Sequence, residues 1–235
     1  MSEKAPRRRR PRLVGAILVG FGVVVLITVI ASLSLDDGSG RLIEISGAGA
    51  TQKLMGGISQ EGAVLGDSDS EVTVEVFNDV QCTSCAEWQQ ETIDPLIEPY
   101  VRDGDVKLQF RHFSLGERNT QVGAYAAGSA GIQGRQWQYI EIFMANLDEL
   151  KAGVVGEDYL EGVANGVLEL DFEQWKDDFD DPSVAEAVRA DEDLAAERRL
   201  PADPAVVVTG PLRSKELIES PSLEDVESAI AAVSS

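Results

Sequence analysis

Cysteine and histidine are scarce in this chain: two of the first and one of the second among 235 residues. A zinc site takes four ligands, and so short a supply of Cys and His argues against one. Basic residues are also few, 20 Lys and Arg against 41 Asp and Glu, for a formal charge of −21. Six of them, Lys4, Arg7, Arg8, Arg9, Arg10 and Arg12, crowd into the first twelve positions. The remainder has no stock of cations for a phosphate-binding face, so nucleic acid is excluded as its default partner. Such an acidic balance suits a well-solvated surface, whether for ordinary solubility or for salt. No internal repeat is visible.

Two features stand against this background. From Leu13 to Leu33 the chain runs 21 residues without a charge. At about 1.5 Å per residue, a helix of that length matches a hydrocarbon core of about 30 Å. The arginines before it and Asp36-Asp37 after it orient such a span with the N-terminus inside and the bulk outside. A cleaved signal peptide, ending near Ser32-Leu33-Ser34, is the competing reading. The apolar run exceeds the usual signal core of about 7–15 residues, which favours an uncleaved anchor. The chain thus divides into a basic cytoplasmic tail (1–12), a transmembrane helix (13–33), a linker (34–56) and an extracytoplasmic domain (57–235).

The second feature is Val72 to Trp88. An alternating β-branched run, Val-Thr-Val-Glu-Val-Phe, ends at Asn78-Asp79, and the only two cysteines follow, spaced Cys82-Thr-Ser-Cys85. Behind them Trp88, Ile93, Leu96, Ile97 and Tyr100 recur at helical spacing. Cys82 is thereby placed at a helix N-terminus, where free N–H groups and the helix dipole stabilise a thiolate, the reactive form. A static disulfide closing so small a ring would stabilise the fold weakly. The pattern favours redox use, with Cys85 resolving what Cys82 begins.

The rest of the chain supplies a scaffold. Thr51–Met55 reads as one helical turn, and Pro95 and Pro99 predict a kink or break after the cysteine-bearing helix. Val106–Phe113 alternates and reads as a second strand, parallel to the first. Residues 114–200 are mostly helical, with helices expected near 119–132, 135–150, 157–168 and from Pro182 to about Arg199. Ala205–Val208 and Arg213–Ile218 read as two antiparallel strands, and Ser222 with Asp225 as a capping box opening a last helix. The order is β-α-β, a helical block, then β-β-α, an α/β layer architecture.

That order, with Cys82-Thr-Ser-Cys85 at the first strand-to-helix junction, resembles the thioredoxin fold with an inserted helical domain. It is similar to the DsbA-type thiol-disulfide oxidoreductases, and most to membrane-anchored ones. Phe77-Asn-Asp-Val-Gln-Cys82, Arg111-His-Phe-Ser-Leu115, Gln133-Gly-Arg-Gln-Trp137 and the lead-in from Gly57 to Asp67 carry the likeness. It implies a membrane-tethered enzyme that forms, reduces or shuffles disulfides of exported proteins, turned over by a membrane redox partner and needing no bound cofactor. It implies Cys82 as the attacking cysteine, Cys85 as the resolving one, and Pro204 as a cis-proline whose neighbouring backbone, with Asp203, pairs with substrate. A non-catalytic scaffold that kept the fold and a static disulfide is the alternative.

Three departures from the family pattern stand out. Thr83-Ser84 matches neither the oxidant nor the reductant dipeptide. Val76 occupies the position where the family often buries an acid, leaving Glu75 on the other face and Asp79 as a substitute. Asp203 precedes the proline, where a carboxylate near Cys82 would oppose thiolate formation. The lone histidine, His112, shares its face with Val106, Leu108 and Phe110 and is expected to be a hydrogen-bonded core residue. Trp88, Trp137 and Tyr139 are expected to pack rather than bind substrate, and Asp177–Asp181 to mark a solvated helix boundary.

Overall fold

The computed structural model describes residues 45–115, 121–150, 155–201 and 203–234. The expected transmembrane helix at Leu13–Leu33 lies outside them; among the described residues no helix is long and apolar enough to cross a membrane. In chain order the elements are α1 (Ala48–Met55), β1 (Gln60–Glu61), β2 (Val64–Leu65), β3 (Val72–Asn78), α2 (Thr83–Thr92) and α3 (Asp94–Leu96). There follow a π-helical turn (Ile97–Val101), β4 (Val106–His112), α4 (Gln121–Ile132), α5 (Gln136–Ala145) and a 3₁₀ turn (Leu147–Leu150). Last come α6 (Glu157–Gly166), α7 (Phe172–Asp178), α8 (Pro182–Arg198), β5 (Ala205–Thr209), β6 (Ser214–Leu217) and α9 (Leu223–Ser234).

The six strands form one sheet in the order β1-β2-β4-β3-β5-β6. β3 and β4 are parallel, with Val76 opposite Phe110 and Asn78 opposite His112. β5 lies antiparallel on the other side of β3, with Phe77 opposite Ala205. Because side chains alternate along a strand, this register sorts β3 by face. Val72, Val74 and Val76 join Leu108, Phe110, Val206 and Val208 in the main core, with Trp88, Ile93, Trp137, Val226 and Val233. Phe77 joins Ala205, Val207, Ala195, Leu200 and Phe113 in a smaller core on the opposite face.

The helix ends follow local chemistry. Asp181 caps α8, its carboxylate accepting from the Ser183 N–H at 2.8 Å, with Pro182 at the first helical position. Ser222 and Asp225 cap α9 reciprocally: the Ser222 N–H donates to Asp225 Oδ2 at 3.0 Å and the Asp225 N–H to Ser222 Oγ at 3.3 Å. The expected break near the prolines is present, since α2 ends at Thr92 and the chain continues through α3 into the π turn. Trp88, Trp137 and Trp175 each donate their indole N–H to a backbone carbonyl, of Pro221, Ala63 and Ala126, so their burial leaves no orphaned donor.

Three sequence expectations need correction. The segment read as linker, 34–56, contains α1, whose Thr51 and Met55 are buried against the domain. The β1–β2 hairpin was not anticipated; each strand has two residues, too few to show alternation. Helix α7 was also unforeseen, because its acidic end masked the apolar Phe172, Trp175 and Phe179. Asp171 caps it through the Gln174 N–H at 3.1 Å.

Candidate active site

The cysteines lie where β3 gives way to α2, and they are joined in a disulfide. Cys82 is the N-cap of α2 and is half-buried, whereas Cys85, inside the first turn, is 1 % exposed. An incoming thiolate can therefore reach only the Cys82 sulfur. The Cys85 N–H points at Cys82 Sγ, 3.2 Å away, and the Ser84 hydroxyl lies 3.3 Å from the same atom. These groups and the positive helix end would hold charge on Cys82 once the disulfide opens. Ser84, noted in the sequence only as an odd dipeptide member, is thus a local donor to the site.

The junction itself is stiffened by polar contacts. The Cys82 N–H donates to the Asp79 carbonyl at 3.2 Å, and the Asp79 carboxylate accepts from the Gln81 N–H at 2.9 Å. Asn78 is fully buried and donates to Gln89 of α2 at 3.1 Å. The inserted domain supports the loop from outside through Gly123 of α4, whose N–H donates to Gln81 Oε1 at 2.9 Å. A Cβ at Gly123 would sit 2.8 Å from Val80 Cγ2, so the helix approaches this closely only because the residue is glycine. Gly123 is a site-forming residue that nothing in its sequence neighbourhood marks.

The Asp203-Pro204 peptide bond is cis and leads into β5, beside β3. Asp203 is half-buried; its Oδ2 faces the Leu115 N–H at 3.5 Å, and its charge acts on Asp79 and His112. No hydrogen bond joins it to Cys82 among the described residues. His112 is 2 % exposed, as its pattern implied, but it is not hydrogen-bonded through its ring: neither imidazole nitrogen has a partner. Its Nε2 stands 3.9 Å from Glu192 Oε1, too far for a hydrogen bond. Only its backbone N–H is engaged, donating to Asp191 at 3.1 Å. Burial pushes the His112 imidazole below its ordinary range, against the pull of Asp79, Glu192 and Asp203. Burial likewise lifts the Asp79 carboxyl, partly offset by the Gln81 N–H and the Ser114 hydroxyl.

Val76, at the position of the family acid, is buried among apolar residues, and Glu75 is committed elsewhere. Glu75 is 6 % exposed and clamped between Arg111 at 3.2 Å and Arg198 at 2.7 Å; Arg111 also reaches Asp191 at 2.9 Å. A second acidic pair lies at the far end of α2. Asp94 and Glu141 are half-buried neighbours, and desolvation first and the adjacent Glu141 carboxylate second lift the Asp94 carboxyl to about 9. Among the described residues no three or more His, Cys, Asp or Glu side chains are arranged to hold a metal ion.

The chain is similar to known proteins in sequence and in fold. A family model described as thioredoxin matches residues 59–232. A probable disulfide bond formation protein D of Bacillus anthracis is 31% identical over 156 residues, covering 65% of this chain and 71% of the relative. The crystal structure of oxidised BdbD from Bacillus subtilis superposes with a TM-score of 0.63 at 21% identity, over 74% of this chain and 96% of that one. A thioredoxin-like oxidoreductase from Silicibacter pomeroyi gives a TM-score of 0.59 at 24% identity, over 72% and 90% of the two chains.

Proposed function

The chain belongs to the thioredoxin family and is a thiol-disulfide oxidoreductase, and we propose that it acts, tethered outside the cytoplasmic membrane, on the cysteines of exported proteins. The observation that carries this reading is the cysteine pair at the N-terminus of α2, Cys82 half-buried and Cys85 buried, with the Asp203-cis-Pro204 bond leading into β5, the neighbour of β3. In the oxidising direction a substrate thiolate attacks Cys82 Sγ and the bond to Cys85 breaks, giving a mixed disulfide. A second substrate thiolate then attacks the substrate sulfur of that mixed disulfide and leaves both enzyme cysteines reduced. The backbone beside Pro204, with Asp203, pairs with the substrate chain in the manner of an added strand. The arginine-flanked apolar run at Leu13–Leu33 supports the tether, and with it the reading of an extracytoplasmic domain in a compartment where disulfides persist.

Turnover is expected with a reduced peptide carrying two cysteines, followed by thiol trapping. Cys82→Ser and Cys85→Ser, neither of which has a disulfide to donate, should both abolish it, and only Cys85→Ser should trap a mixed disulfide when offered the peptide in its oxidised form. Equal activity in Cys82→Ser would sink the assignment. Carbonate-washed membranes from expressing cells should retain the full chain, and release of an N-terminally shortened form would contradict the tether.

A further inference from the structure

At the end of β3, chain from both neighbouring strands converges on the cysteine loop. Phe77 lies opposite Ala205, so the same register carries Pro204 towards Asn78 and Asp203 towards Asp79. Asp79 in turn accepts the Cys82 N–H through its carbonyl. From the other side, the chain leaving β4 crosses the end of β3, the Phe113 N–H donating to the Asn78 carbonyl at 3.2 Å. It delivers Leu115 to the cis-proline loop, its N–H 3.5 Å from Asp203 Oδ2. Behind this contact the loop is pinned, because the Pro204 carbonyl accepts from the Ser220 N–H at 3.1 Å.

An apolar and an anionic group thus stand side by side at the lip of the site. Leu115 is 58 % exposed, a large apolar side chain left in water. Asp203 is half-buried, and among the described residues no cation stands within ion-pair distance of it. The arginines that reach this face of β3 are taken, Arg111 by Glu75 and Asp191 and Arg198 by Glu75. His112 is no substitute, since burial disfavours its charged form. A partly desolvated carboxylate without a counter-ion favours the approach of a cation. Lysine and arginine carry such a cation on an aliphatic stem that lies well on apolar surface.

We propose that Asp203 and Leu115 form a subsite for a basic residue next to the substrate cysteine, its cation meeting the Asp203 carboxylate and its stem lying on Leu115. This rests on the proposed exchange reaction and gives it a substrate class: exported proteins whose reacting cysteine is flanked by lysine or arginine. In an extended substrate paired along the cis-proline loop, residues follow at about 3.3 Å each, so the neighbours of the cysteine at Cys82 pass Asp203. The same carboxylate repels acidic flanks. Asp203 and Leu115 select the substrate, while bond exchange stays with Cys82 and Cys85.

The test uses the oxidised full chain in detergent and reduced peptides with two cysteines, identical but for Lys, Gln or Glu on either side of the first. The second-order rate at which each opens the Cys82–Cys85 disulfide is followed by thiol trapping. Comparing the Lys-to-Glu rate ratio between protein variants cancels the peptides' own reactivity. That ratio should fall about tenfold in Asp203→Asn, roughly threefold from lost attraction and threefold from lost repulsion. Asp203→Glu should keep it. Asp105→Asn removes an equal, exposed charge at the opposite end of β4 and should change it less than about twofold. Leu115→Ser should slow the Lys peptide about threefold. An unchanged ratio in Asp203→Asn would overturn the proposal, and an equal fall in Asp105→Asn would assign the preference to the acidic domain as a whole. Loss of the ratio in Asp203→Glu as well would mark a packing role, and a wild-type rate in Leu115→Ser would remove the apolar half of the subsite. A wild-type disulfide that none of the peptides opens is a different failure: it defeats the exchange reading itself.

Discussion

The two faces of β3 are covered by opposite means. On one, Val74 and Val76 meet Phe110, Val206 and Val208 under α2, α5 and α9, and the contact is dry. On the other, Glu75 is buried by two arginines, one from β4 and one from α8, and Phe77 lies under the Arg198 guanidinium at 5.4 Å from its ring. The dry face derives its stability from area removed from water, at about 25 cal/mol per Å². The ionic face has a desolvation cost that only complete pairing offsets, so it contributes geometry more than stability. That geometry has a use: the network from Glu75 through Arg111 to Asp191 ends at the His112 backbone, next to the cysteine loop. The inserted domain supplies α8 to this face and α4 to the loop, so the insertion is part of the site's frame.

The contrast can be broken from either side. A charge on the dry face should do most damage: Val76→Asp is expected to cost about 4 kcal/mol or to prevent folding, measured by urea unfolding. Tolerance of Val76→Asp at neutral pH would show that this face is wet. Removing a charge from the ionic face should cost somewhat less. Glu75→Ala leaves Arg111 and Arg198 facing each other, and because both are about a quarter exposed the loss should be about 2 kcal/mol. A Glu75→Met variant as stable as wild type would mean that the network is dispensable for stability.

A smaller effect has the opposite sign. The folded protein holds a proton on Asp94 to about pH 9, whereas the unfolded chain releases it near 3.8. This group's contribution is therefore fully present below about pH 4 and is lost as pH rises towards 9. Asp94→Asn should raise the melting temperature at pH 8, by the equivalent of about 1 kcal/mol, and should match wild type near pH 4. A variant less stable at pH 8 would show Asp94 to be ionised and paired. Smallest of all, Ser222→Ala removes half of the exposed α9 capping box and should cost about 0.5 kcal/mol in a thermal melt, with exchange activity unchanged.

Much of the dry face was legible in the sequence, because it is built from periodicity. Val72, Val74 and Val76, then Val106, Leu108 and Phe110, alternate plainly, and the β-α-β order follows from them. The capping box and Pro182 mark helix starts by chemistry confined to four residues. The ionic face was not legible, since its partners are remote: Glu75 and Arg198 lie 123 positions apart. The same holds for Asp94 with Glu141, which become neighbours only after the sheet and the insertion are in place. The cysteines announce themselves by spacing, and Gly123 does not, because its importance is a matter of 2.8 Å to Val80. His112 shows the limit most clearly: alternation predicted its burial, but the missing partners of its ring are a tertiary fact.

The most direct measurement is the reduction potential of the Cys82–Cys85 pair in the full chain, by equilibration in glutathione buffers and thiol trapping. An exchanging pair is expected between about −120 and −270 mV, the range spanned by disulfide donors at one end and reductants at the other. A pair that remains oxidised below about −300 mV would behave as a structural disulfide and contradict the assignment of the site.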